Sequence, residues 1–222
     1  MKHINYLFAA GILALSTSAT AAPTITGYDV SNADPSGTGG WSHQYSGTIV
    51  NLGSVRDYTG GTGTMADGIF GTSPDSTQLF FSESDASITV FLDDYYKIDS
   101  VSLFGGDPSD AVPGGIDSAD FTVGSTSLNL NGFPFGPLGQ SRQLVNDDFL
   151  FTSTGLDQIR TNQFTISGIS ASGGDFNGEW FSISEITVQG TISPVPEPST
   201  YALMLGGLGL VGFMAARRRK QA

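Results

Sequence analysis

Between Ala22 and Pro194 the chain carries twenty carboxylates, a single histidine at position 43 and no cysteine. Carboxylates can ligate divalent cations, work in pairs on a glycosidic bond, or close turns. The lone histidine could serve a serine nucleophile as its base. No Gly-x-Ser-x-Gly elbow accompanies it, and no His-x-x-x-His pair offers a catalytic metal site. His43 lies beside Trp41 in a glycine-rich stretch and reads as a solvated loop residue. The lack of cysteine excludes disulfides, zinc–thiolate sites, iron–sulfur clusters and thiol nucleophiles.

The carboxylates show no Asp-x-[Asp/Asn]-x-[Asp/Asn]-Gly loop, so an EF-hand is excluded. Asp93-Asp94 and Asp147-Asp148 read as turn acids. Asp107-x-x-Asp110 and Asp117-x-x-Asp120 could each contribute to calcium or simply shape turns. A non-enzymatic protein is the expectation. Against the twenty acids stand four cations, Arg56, Lys97, Arg142 and Arg160, which leaves this region a formal charge of −16. Such a surface repels phosphate backbones and argues against nucleic acid as a partner. It favours solubility and suits divalent cations.

The elements that must position these residues read as strands. Short apolar runs recur between Gly, Ser, Thr, Asp and Pro: Ile49–Leu52, Gln78–Phe81, Ser87–Leu92, Ser100–Phe104, Asp120–Val123, Phe149–Phe151, Gln163–Ile166 and Phe181–Val188. Ile88, Val90 and Leu92 share one face, as do Val101 and Leu103, a period of two that predicts an all-β sandwich or barrel. In the last run Phe181 and Ile183 fall on odd positions, Ile186 and Val188 on even ones. Both pairs can be buried only if an extra residue intervenes, so a bulge is predicted near Ser184-Glu185. Asn131–Gln140 reads as an irregular loop.

The two ends differ from the middle. Met1-Lys2-His3, an apolar run from Ile4 to Leu15 and the small residues up to Ala21-Ala22 predict a secretory signal peptide over 1–21, a signal helix removed on export. The domain then covers 22–193 and a tail covers 194–222. In the tail, Pro194-Val195-Pro196-Glu197-Pro198 is an extended spacer, and Ser199 is placed to cap a helix. Tyr201–Ala216 is sixteen residues without a charge. It predicts one short C-terminal transmembrane helix of roughly 24 Å, against a hydrocarbon core of ~30 Å. Arg217, Arg218, Arg219 and Lys220 would stay on the cytoplasmic side.

Val195-Pro196-Glu197-Pro198-Ser199, the glycine-rich apolar helix and the terminal arginines resemble the PEP-CTERM sorting signal of Gram-negative bacteria. The resemblance implies recognition at Pro196, Glu197 and Pro198 by an exosortase. It further implies a transient inner-membrane intermediate, then delivery to the cell surface or extracellular matrix.

A second resemblance covers the domain. Met65-Ala66-Asp67-Gly68-Ile69-Phe70-Gly71-Thr72 precedes a strand that leads through Tyr96-Lys97-Ile98 to Val101. Trp180-Phe181-Ser182-Ile183-Ser184-Glu185-Ile186-Thr187-Val188-Gln189-Gly190 closes the region. The order is similar to the galactose-binding-like, discoidin-type domain, without that family's flanking disulfide. It implies a jelly-roll β-sandwich with a structural calcium held by Asp67, Thr72 and Glu185. It also implies carbohydrate binding on loops, with Trp41, His43, Arg56, Tyr58, Arg142 and Trp180 as candidates for stacking on sugar rings and bonding hydroxyls. The expected function is therefore an exported polysaccharide-binding sandwich, with the cell's own exopolysaccharide as one ligand. The alternative is a structural matrix protein with a calcium-stabilised acidic surface and no glycan ligand.

Overall fold

Alternating side chains put the strands where half-buried sheets need them. The computed structural model describes residues 22–33, 43–71, 78–81, 85–105, 115–135, 145–172, 180–192 and 198–219. The strands are β1 (Ile25–Ala33), β2 (Thr48–Asn51), β3 (Arg56–Gly61), β4 (Leu79–Phe81), β5 (Ser87–Gly105) and β6 (Gly115–Val123). They continue with β7 (Thr126–Asn131), β8 (Phe133–Phe135), β9 (Val145–Leu150), β10 (Arg160–Ser172) and β11 (Phe181–Ile192), and a helix α1 (Pro198–Arg219) follows. Every strand pairing among the described residues is antiparallel.

One layer runs β2-β3-β1-β5-β10-β6-β7. In the other, β11 and β9 pair with β5, with β4 beyond β11 and β8 beyond β9. The nineteen residues of β5 serve both layers. Ser87–Leu92 pair with β1, while Tyr96–Gly105 pair with β11. Between them Asp93, Asp94 and Tyr95 are exposed, so the expected turn acids sit on the strand where it passes from one layer to the other. The core lies between the layers. Phe121 of β6 meets Phe149 of β9 at 4.9 Å and Phe151 at 5.1 Å, and Phe81 stacks on Phe181 at 4.6 Å. Each such ring, fully buried, contributes about 1.5–3 kcal/mol.

The parity change in β11 resolves as expected. Ile183 pairs with Gly105 and Glu185 with Phe104, so Ser184 is the extra residue and Phe181, Ile183 and Ile186 are all buried. Four strands, β1, β3, β7 and β8, were not among the predicted runs. Of these, β8 falls inside the predicted loop, pairing Phe133 with Asp148 and Phe135 with Asn146. The two ends of the sandwich meet on one strand: Ile25 pairs with Leu92 and Ile192 with Tyr96, both near the middle of β5.

The predicted signal helix, 1–21, lies outside the described residues. The tail helix is present but longer than predicted, and it begins at Pro198, so Ser199 lies inside it rather than capping it. Proline suits a first helical position because its missing N–H would have no partner there. Leu203 to Met214 are exposed all round, uncovered by the sandwich. No helix among the described residues is long and apolar enough to cross a membrane.

Candidate functional site

The densest polar chemistry gathers where β1 and β3 meet. Tyr28 pairs with Gly61 and Val30 with Tyr58, so β3 carries an extra residue that bulges at Thr59-Gly60. The Gly60 N–H donates to Asp29 Oδ1 at 2.7 Å. Beyond β3 the chain continues beside residues 44–46. The Ser46 N–H donates to the Thr62 carbonyl at 2.9 Å, and the Thr64 N–H to the Gln44 carbonyl at 3.0 Å. This close approach needs bare backbone. A Cβ on Gly47 would lie 2.7 Å from the Gly61 nitrogen, and one on Gly61 would press on the Gly47 backbone in return.

Tyr45 ties these strands together. Its hydroxyl donates to the Tyr28 carbonyl at 2.6 Å and accepts the Gly61 N–H at 2.8 Å. Its ring packs 5.3 Å from both Tyr28 and Tyr58. His43 completes the cluster, edge-on to Tyr58 at 4.8 Å. The predicted solvated histidine is thus half-buried among three tyrosines, because β1 and β3 bring distant residues around it. Burial lowers its pKa to about 4, so the ring is neutral. The Tyr28 oxygen accepts the Met65 N–H at 3.4 Å and lies 2.9 Å from His43 Nε2. Burial holds the Tyr28 phenol protonated far above its ordinary range. The tautomer sets the direction of the bond between this hydroxyl and Nε2, and Nδ1 is a buried atom with no hydrogen-bond partner among the described residues.

From Met65 the chain runs directly into the Asp67-Gly68 turn and so to Glu185. That carboxylate is only 4% exposed and accepts the Gly68 N–H through Oε2 at 3.2 Å. Asp67 Oδ1 accepts the N–H of Ile69 at 2.8 Å, and Ser184 Oγ accepts that of Gly71 at 3.3 Å. Burial raises Glu185 to about 7. The Gly68 and Asp67 N–H groups oppose that rise, and the Asp67 charge adds to it. Asp67 and Glu185 therefore come together as predicted, while Thr72 lies outside the described residues. The predicted calcium set is therefore described only in part. The ion takes six to eight oxygens, whereas the backbone groups aimed at Glu185 are N–H donors. Among the described residues no group of three His, Asp or Glu side chains is gathered for a metal.

Above Tyr45 lies a shallow groove of about 380 Å³, open to solvent. Gly27 lines it from β1 with Thr26, and Phe91 of β5 stands on one flank. Ser46 and Gly60–Thr62 form the other. Phe91 faces outward, between core residues Val90 and Leu92. The Thr26 hydroxyl donates to the Phe91 carbonyl at 3.3 Å. Ser46 Oγ donates to the Thr62 carbonyl and accepts the Thr62 N–H, both at 3.0 Å. The surface combines one aromatic ring with three hydroxyls and no charged side chain.

Of the six predicted sugar contacts, four are described, and of these only His43 and Tyr58 touch. Tyr58 is 3% exposed and belongs to the core. Arg56 is half-buried on β3, its Nε donating to Asn51 Oδ1 at 2.7 Å. Trp180 packs edge-on against Phe80 at 5.4 Å, at the start of β11. Trp41 and Arg142 lie outside the described residues. Sequence reasoning missed Tyr28, Tyr45, Ser46 and Phe91. For Phe91 a signal existed: a large aromatic at an odd position in a strand whose even positions form the core.

Residues 194–220 match the PEP-CTERM protein-sorting motif, so the sandwich is followed by a sorting signal of exported proteins. No curated protein matches the sequence. Among solved structures, the chain is similar to truncated AlyQ with CBM32 and alginate lyase domains, at TM-score 0.42 and 15% identity over 81% of this chain. It spans about a third of that protein's length, 35%. CBM32-3 from a family 31 glycoside hydrolase of Clostridium perfringens aligns at TM-score 0.35 and 15% identity, over 54% of this chain and 81% of that one. The CBM32 of AlyQ in complex with 4,5-unsaturated mannuronic acid aligns at 0.34 and 20%, over 56% and 81%.

Proposed function

We propose that this is an exported, non-catalytic, jelly-roll-type carbohydrate-binding sandwich whose ligand site is the groove between Phe91 and Ser46. The observation that carries the reading is the groove's composition. The half-buried Phe91 ring on the outer face can stack on the apolar face of a sugar, and the hydroxyls of Thr26, Ser46 and Thr62 can exchange hydrogen bonds with sugar hydroxyls. The glycine backbone beneath lets a flat ring approach closely. Its volume lies within the range of about 300–1,000 Å³ usual for small-ligand sites. The sorting motif supplies the destination: exosortase acts at Pro196-Glu197-Pro198 during inner-membrane passage, and the sandwich is released to the surface or matrix.

Glycan-array binding by the domain 22–193 tests the ligand, with Phe91→Ala as the control. Binding should fall at least tenfold in that variant while its melting temperature stays near that of the parent. Wild-type protein that binds no glycan, or binding that survives Phe91→Ala unchanged, rejects the site. For the tail, Glu197→Ala should leave an unprocessed, membrane-retained precursor. Normal processing of that variant would reject exosortase recognition at the motif.

A further inference from the structure

The path and charge of the groove narrow its ligand beyond the bare class of sugar, an inference that rests on the carbohydrate-binding reading. Phe91 pairs with Gly27, the neighbouring Tyr28 pairs with Gly61, and Thr62 is bonded to Ser46. The lining therefore crosses four adjacent backbone segments, β5, β1, β3 and 44–47, rather than collecting at one loop. That is three inter-strand steps of about 4.8 Å each, longer than a single sugar ring. Among the described residues nothing in the lining forms an end wall: the aromatic flank, the glycine floor and the hydroxyl flank all open to solvent.

The charge is equally one-sided. Among the described residues no lysine or arginine lines the groove, and the carboxylate held against it is that of Asp29, bonded to Gly60. The region from 22 to 194 as a whole carries a formal charge of −16. A sugar acid laid across these strands would meet like charge and find no cation to pair with. An uncharged sugar loses nothing there. The Thr62 hydroxyl has no hydrogen-bond partner among the described residues, and Ser46 Oγ has acceptor capacity left after its two bonds to Thr62.

We propose that the groove holds an internal stretch of an extended, uncharged glycan chain laid across the strands, and that Asp29 excludes uronic acid chains. The recognised unit is several sugars long and needs no chain end.

The experiment compares two series that differ only at carbon 6. Mannose oligomers of one to six units are titrated calorimetrically against mannuronate oligomers of the same lengths, at low and high salt. Glucose, galactose and N-acetylglucosamine oligomers extend the neutral set. Neutral chains should tighten by tenfold or more between the monosaccharide and the trimer, then level off, with blocked chain ends making no difference. Mannuronate should bind at least tenfold more weakly at low salt, and Asp29→Asn should narrow that gap. Full affinity for a monosaccharide, or equal affinity for the mannuronate series, would overturn the inference while leaving the carbohydrate reading intact. Wild-type protein binding nothing in either series, with Phe91→Ala folded and equally silent, would overturn both.

Discussion

His43 and Glu185 stand at the two ends of one bonded path, and burial moves their protons in opposite directions. Burial lowers His43 from 6.5 to about 4. Its contribution to stability is complete above 6.5 and is lost as pH falls toward 4. Burial, then the Asp67 charge, raises Glu185 from 4.5 to about 7. Its contribution is complete below 4.5 and is lost as pH rises through 7. Melting curves against pH should therefore diverge from the parent in opposite senses. Glu185→Gln should gain on the wild type as pH rises from 5 to 8, and His43→Gln should gain as pH falls from 6.5 to 4. Parallel curves would mean that neither proton is coupled to folding. At the turn itself, millimolar calcium should leave the melting temperature unchanged, since the Gly68 N–H already bonds Glu185 Oε2. A rise of several degrees that Glu185→Gln abolishes would assign the turn to the ion. The meeting of Asp67 with Glu185 was legible from motif order. The burial of His43 was not, because it depends on Tyr28, Tyr45 and Tyr58, which only strand pairing brings together.

At the level of elements, the bulge in β11 carries the most consequence. Ser184 lets Phe181 and Ile183 share the core with Ile186 across a change of parity. Deleting it should turn Phe181 and Ile183 out of the core, costing about 3 kcal/mol or more. Urea unfolding would report the loss as a lower midpoint, and an unchanged midpoint would mean that the bulge is not needed. This feature could be read because parity is a local property of eight residues. The continuity of β5 could not, because Asp93-Asp94 has the composition of a turn while neighbours on both sides hold it in the sheet. Strands β1 and β3 escaped for a related reason. Gly27, Gly60 and Gly61 weaken their local β signal, and it is close packing with Gly47 and Tyr45 that makes them strands.

For the whole molecule, the class of fold was written in the spacing of short apolar runs, and the export signal in the last residues. The groove was written in neither, since its residues come from segments up to 65 positions apart. The placement of the two chain ends is likewise a property of the assembled sheets. Ile25 and Ile192 pair with Leu92 and Tyr96, four residues apart on β5, or roughly 13 Å along a strand. A circular permutant that joins them through a short glycine–serine linker and opens at Gly124-Ser125, the β6–β7 hairpin, should fold and keep the groove. Its melting temperature should lie within about 5 °C of the parent, a change of roughly 1–2 kcal/mol, and an insoluble or molten permutant would contradict the closeness of the ends.

That closeness also sets how the molecule responds to force. Attachments made at Ile25 and Ile192 leave from neighbouring points, so both can be held at one spot without stretching the sandwich between them. If instead the two ends are drawn apart, the load falls on the Ile25–Leu92 and Ile192–Tyr96 rungs first. The ladders then open one bond at a time, like a zipper. The same geometry that lets the domain fold while doubly tethered leaves it mechanically weak once it is stretched from end to end.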